Sequence, residues 1–277
     1  MVTGKFIREK QIFCGSEYKE VDIFGLTGIQ IKAVRGKRSK RKKESEPKQK
    51  NLNDKNAKRY FTQLVEMNFG QGKNALHISC TYNEKYLPKS LKEAEKFGSN
   101  YLRRIAYKRK KEGLPPLEYI SIISWTDGAD GTPKRIHHHI IINGGLDRDE
   151  VEDMWRMRKK KGQEKGDLIG YVNADRVQSD ENGISALANY LCRQAKGKKR
   201  WTSSHNLKRP SSRENDNRYS VRQIDRLIRS GDVYDVSYWE KKYPGWTIKD
   251  TLYGIKCEVN NVTGIQSIYL KLRRKRC

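Results

Sequence analysis

Arg135–Asn143 reads RIHHHIIIN, three consecutive histidines running into three isoleucines. An unbroken β-branched run predicts a buried strand. Alternate side chains of a strand share a face, so His137, His139 and Ile141 point one way and His138, Ile140 and Ile142 the other. Two imidazoles held about 7 Å apart by the strand rise suit one divalent cation. Imidazole accepts Mn²⁺, Zn²⁺, Ni²⁺ or, joined by carboxylates, Mg²⁺. An isolated His-x-His more often just fills a sheet face, and the segments on either side decide between the two.

Working outward, Leu117–Trp125 (LEYISIISW) predicts a second strand. The Gly- and Asp-rich Thr126–Pro133 predicts a long hairpin loop into the histidines. Further back, Ala75–Tyr82 (ALHISCTY) alternates, with Leu76, Ile78 and Cys80 on one face and His77, Ser79 and Thr81 on the other. Between these strands Ser90–Glu112 predicts a long helix with a basic C-terminal half, a placement that suits the helix dipole. Downstream, Leu146–Met157 predicts a helix that Asp147 caps, and Leu168–Val177 another strand. Ser179–Ala195 predicts a final helix with Ile184, Leu187, Ala188 and Leu191 as its buried stripe. Tyr190 falls at the border of that stripe, where its hydroxyl reaches solvent or a ligand; as one of fifteen tyrosines it equally suits an amphipathic surface position.

The order is β-α-β-β-α-β followed by a helix. The expected fold class is α+β: a split, ferredoxin- or RRM-like antiparallel sheet with helices on one face. The histidine strand should lie near its middle, and the Tyr190 helix over the same face as His137 and His139.

The flanks predict three regions. Residues 1–52 hold short strands, with a hairpin around Gly15–Ser16, and a basic arm, RGKRSKRKK, at Arg35–Lys43. Residues 53–209 hold the histidine and tyrosine elements. Residues 210–277 read as a basic appended module with a helix near Ser220–Ser230 and late strands. Lys196–Arg209 (KGKKRWTSSHNLKR) is a basic loop whose Lys198, Lys199, Arg200 and Trp201 suit nucleic-acid phosphate and bases.

Lys and Arg total 59 against 33 acidic residues, a net charge of +26 in 277 residues. Such a surface repels itself unless a polyanion shares it, and nucleic acid is the expected partner. An anionic membrane surface is the other candidate, but no long basic amphipathic helix stands out to support it and no apolar run approaches transmembrane length. No signal peptide is evident, and no phosphate-binding Gly-rich loop, so an ATPase is not supported. The five cysteines are scattered without a Cys-x-x-Cys pair, as in a reducing cytoplasm.

Taken together, HISCTY, HHHIII and YLCR, in that order and on those elements, resemble the three motifs of the HUH endonucleases that initiate rolling-circle replication in bacterial plasmids and phages. The resemblance covers roughly residues 50–210. KRWTSSHNLKRP is also similar to a stretch that follows the tyrosine in one bacterial branch. It implies that His137 and His139 hold Mg²⁺ or Mn²⁺ and that Tyr190 attacks a phosphodiester of single-stranded origin DNA, storing it as a 5′-phosphotyrosine. It implies that Arg193 adds positive charge there, in place of the usual lysine. Thr81 and Tyr82, closing the first motif, are expected at the nucleic acid. A host polymerase and a separate host helicase are implied partners, in a bacterial cytoplasm.

Two departures stand out. Ser124 occupies the place where relatives usually carry a carboxylate ligand, and Asp127 in the following loop is the substitute candidate. Gln194 stands where two-tyrosine relatives carry the second tyrosine, which favours a one-tyrosine cycle. The alternatives are a relaxase or transposase of the same superfamily, and a noncatalytic DNA- or RNA-binding protein that keeps the fold.

Overall fold

The computed structural model describes residues 5–27, 47–70, 72–125, 136–180, 182–194, 200–259 and 264–275. In chain order come β1 (Lys5–Cys14), β2 (Tyr18–Thr27), α1 (Pro47–Phe69), β3 (Leu76–Cys80), α2 (Leu91–Lys111), β4 (Tyr119–Ser124) and β5 (His137–Ile142). Then follow α3 (Arg148–Asp153), β6 (Val172–Arg176), α4 (Ser185–Gln194), β7 (Thr202–Ser203), β8 (Ser211–Asn215), α5 (Val221–Arg229) and α6 (Val236–Lys242). The last are β9 (Trp246–Thr247), α7 (Thr251–Gly254), β10 (Ile255–Val259) and β11 (Gln266–Arg274). The fold is α+β, with antiparallel sheets.

Two compact units divide the chain, one of residues 58–208 and one joining residues 1–57 to 209–277. In the first unit the sheet order is β6-β3-β5-β4-β7, so the histidine strand is central. Ser90 caps α2 by accepting from Glu93 N, and Asp147 caps α3 by accepting from the N–H groups of Asp149 and Glu150. Helices cover both faces of this sheet, not one as expected. Ala94, Tyr101, Leu102 and Ile105 of α2, with Val151 of α3 and Trp155, pack against Ile78, Ile140 and Ile142. Phe61, Leu64 and Val65 of α1, with Ile184, Ala188 and Leu191 around α4, pack against Ile120, Ile122 and Ile141. The reason is in the strands, since β4 and β5 place isoleucines on each face and both faces must be buried.

Arg109 departs from the dipole reading. It is buried, and its guanidinium donates to the carbonyls of Pro115 (2.9 Å), Asn143 (3.2 Å) and Gly144 (2.9 Å). It thereby ties the end of α2 to the exit of β5. Asn143 adds to the clamp by accepting from Glu118 N at 3.0 Å and donating to Pro116 O at 3.0 Å.

In the second unit β1 and β2 form the expected hairpin, with Gly15 at φ 83° in the turn. The basic arm at Arg35–Lys43 lies outside the described residues. The C-terminal segment is not a separate appendage to these strands. The sheet order is β10-β11-β2-β1-β8, with β9 on β11. Ile268 and Leu270 pair with Ile23 and Val21 in register, extending an apolar face that the hairpin cannot bury alone. Tyr219, Ile224, Leu227 and Trp239 belong to the same core.

That face contains charge. Glu9 is buried, accepts from Tyr243 OH at 2.5 Å and lies 3.4 Å from Arg218. Lys19 is buried with its ammonium 4.7 Å from the Tyr243 ring centre and 4.6 Å from that of Trp246. Burial pushes Lys19 down to about 8; Glu9 opposes this, and Arg218 and Arg274 add to it. Between pH 8 and the ordinary lysine value the unfolded chain holds a proton that the folded chain has released, so folding strengthens as pH rises. The wild type should therefore gain stability relative to Lys19→Met between about pH 8 and 10.5. Paired urea melts across that range check this, and a constant difference would contradict it.

Candidate active site

β3, β5 and β6 build the site by register. Ser79 pairs with His139 and His77 with Ile141, so His77 and Ser79 share the face of His137 and His139. Asn173 pairs with Ser79, and Asp175 with His77, which brings β6 to the same face. Ser124 pairs with His137 on the other side and is buried.

His139 is the hub. Its ring centre lies 4.9 Å from that of His137, less than the strand rise allows for upright side chains, because the rings lean together. It stacks on His77 at 5.5 Å and 16°. Its Nδ1 is 3.3 Å from both His77 Nε2 and Ser79 Oγ. The Tyr190 ring meets it edge-on at 5.3 Å. This contact exists because Ile184, Ala188 and Leu191 seat α4 on the same face. Tyr190 is 41% exposed, so the phenol touches His139 and solvent at once.

Burial, reinforced by His137, pushes His139 down to about 3. Burial also lowers His77, against the pull of Asp175. Both are neutral at pH 7. His139 Nε2 is buried with no hydrogen-bond partner among the described residues. When Nδ1–H donates to Ser79 Oγ, Nε2 presents an unused lone pair. That orphaned nitrogen fits a metal ligand. Among the described residues no group of three or more His, Cys, Asp or Glu stands placed to hold a metal ion. Asp127 lies outside the described residues.

The opposite face holds His138, buried between Tyr82 and Trp155. Tyr82 OH lies 2.5 Å from His138 Nε2. Burial, then the neighbouring His137, pushes His138 down to about 3. Tyr82, expected at the nucleic acid, is instead a core residue, 2% exposed. The alternation that pairs it with Leu76, Ile78 and Cys80 explains why. Thr81 is half-buried and donates to Tyr171 O at 3.0 Å.

Arg193 is exposed in the last turn of α4. Trp201 is half-buried, edge-on to Phe61 at 5.0 Å and packed on the α1 and α4 core. Trp201 and Arg200 also line a cavity of about 480 Å³ that reaches Gly98, Ser121 and His138. That cavity opens on the α2 side of the sheet, away from Tyr190. Lys198 and Lys199 lie outside the described residues. Sequence reasoning missed His77, Asn173 and Asp175 as site residues. The alternation of ALHISCTY already placed His77 beside Ser79, but only the register with β5 brings it to His139.

Compared with protein families, curated proteins and solved structures, the chain has no match.

Tyr82→Phe leaves the buried His138 Nε2 unpaired and should cost about 1–3 kcal/mol. Denaturant melts should show this loss while affinity for single-stranded DNA stays unchanged. Weaker DNA binding at unchanged stability would contradict the core assignment.

Proposed function

We propose that this protein nicks and rejoins single-stranded DNA at a replication origin through a 5′-phosphotyrosine, with Tyr190 as nucleophile. The observation that carries the reading is the edge contact of Tyr190 with His139, residues 51 positions apart in sequence. Element order and the strand order β6-β3-β5-β4 support the split, ferredoxin-like arrangement of the endonuclease domain. The +26 charge supports a polyanionic substrate. An unpaired strand is the form that reaches a phenol lying on a sheet face.

Tyr190 Oη attacks phosphorus and forms the new P–O bond, its proton passing to solvent through the exposed edge of the ring. The bond to the 3′-side oxygen breaks, and that oxygen takes up a proton as a free 3′-hydroxyl for a polymerase to extend. Storing the phosphodiester on the protein permits rejoining by the reverse attack. His137 and His139 would hold a Mg²⁺ or Mn²⁺ ion, which when bound supplies charge stabilisation at the phosphate. His77 and Ser79 hold the ring of His139 in place. Arg193 adds positive charge at the end of α4.

A second reading is a nucleic-acid binder that does not cleave. Ser124 favours it, because a serine stands on the histidine face where a carboxylate ligand is expected.

Incubation with end-labelled origin-region single strands and Mn²⁺ separates the two. The wild type should form a covalent adduct that survives denaturing electrophoresis, Tyr190→Phe should form none, and His139→Ala should slow it by about 10²-fold or more. Absence of any wild-type adduct favours the binder. An adduct with Tyr190→Phe removes Tyr190 from the mechanism.

A further inference from the structure

On the sheet face away from Tyr190, α2 and the segment following α3 enclose a cavity of about 830 Å³. Seven basic side chains line it, including Lys96, Arg103, Arg104, Arg158 and Lys159, against only Glu93 and Asp153. Both acids are already engaged. Asp153 accepts from Arg156 at 2.6 Å and Lys165 at 2.8 Å, and Glu93 accepts from Lys89 N at 2.8 Å. Arg104 is different. Its Nε and Nη2 are buried and have no hydrogen-bond partner among the described residues. Burial lowers its basicity, opposed only by Tyr101. A guanidinium held partly out of water with idle donors costs folding free energy, and turning it from that position into the adjoining cavity, onto an oxyanion, would recover it. Two adjacent N–H donors match the paired oxygens of a phosphate ester. Phe97, Met154 and Ile169 line the same cavity with apolar surface. Bases stack on such surface without regard to sequence.

We propose that this cavity is a second nucleotide-binding site, in which Arg104 grips a phosphate ester and the Phe97–Met154 surface takes the attached base. The site lies across the sheet from Tyr190, so its ligand is not the scissile phosphate. It holds a flanking stretch of a nucleic acid, or a free nucleotide with the same phosphate ester. It stands whether or not Tyr190 cleaves.

The test compares full-length wild type, Arg104→Met and Arg104→Lys. Binding of a fluorescent mixed-sequence single-stranded 20-mer is measured by anisotropy between 50 and 300 mM salt, without divalent metal. AMP and inorganic phosphate are titrated separately by calorimetry. Arg104→Met should weaken the 20-mer about 10-fold and lower the salt slope by about 0.7, one phosphate contact on a single strand. Its thermal midpoint should rise by about 2–4 °C, because a charge without a partner has gone. Arg104→Lys should restore the slope but not the full affinity, lacking the fork. AMP binding that is lost in Arg104→Met assigns the site to free nucleotides; 20-mer loss without AMP binding assigns it to the polymer. Both support the site. Equal affinity and slope for all ligands in wild type and Arg104→Met overturn it, as does a fall in midpoint with unchanged affinity. If no strand is ever nicked while the Arg104 effects hold, only the Tyr190 reading fails.

Discussion

The period of a β-strand is the constraint on which this structure depends. Because successive side chains leave β5 on opposite faces, a run of three histidines is divided at once into two environments. His138 enters the α2 core, with Tyr82 and Trp155 around it. His137 and His139 enter the α4 face, with His77, Ser79 and Tyr190. A register slip of one residue would exchange these environments. Arg109 and Asn143 oppose that slip by tying the exit of β5 to the neighbouring segments.

Burial then sets the chemistry. Both His138 and His139 are held far below the ordinary histidine value, so each is neutral at pH 7. The two have different uses for that neutrality. His138 spends Nε2 on Tyr82, leaves Nδ1 buried without a hydrogen-bond partner among the described residues, and packs tightly enough against Gly98 that an added Cβ there would lie 3.1 Å from its ring. His139 is fixed through Nδ1 and leaves Nε2 facing no protein partner among the described residues. What separates the two is their surroundings: His138 is packed between Tyr82 and Trp155, while His139 meets the half-exposed Tyr190. Arg104 repeats the pattern on the α2 side, where two donors are buried without an acceptor among the described residues.

Local pattern carried much of this. The Ile run and the alternation around it made the central strand and its two faces legible, and the Ser90 and Asp147 caps marked two helix starts. Tyr82 looked like the aromatic end of a motif, yet its parity with Cys80 already assigned it to the core. What the sequence hides is long-range pairing. Nothing in the periodicity of β1 and β2 says that their sheet is completed by β11, some 240 residues later. Helices on both faces followed from isoleucines such as Ile120 and Ile122, which a one-sided sheet would have exposed. The idle nitrogens of Arg104 are invisible in a run of basic residues, because burial and partners are properties of the fold.

The central claim is that Tyr190 and the His137–His139 pair surround one cation. Fluorine NMR of protein carrying 3-fluorotyrosine tests this directly, with the Tyr190 resonance assigned by its loss in Tyr190→Phe. Substoichiometric Mn²⁺ should broaden Tyr190 selectively, and His139→Ala should abolish the effect. A Tyr190 signal indifferent to Mn²⁺, or broadened equally without His139, would contradict the account.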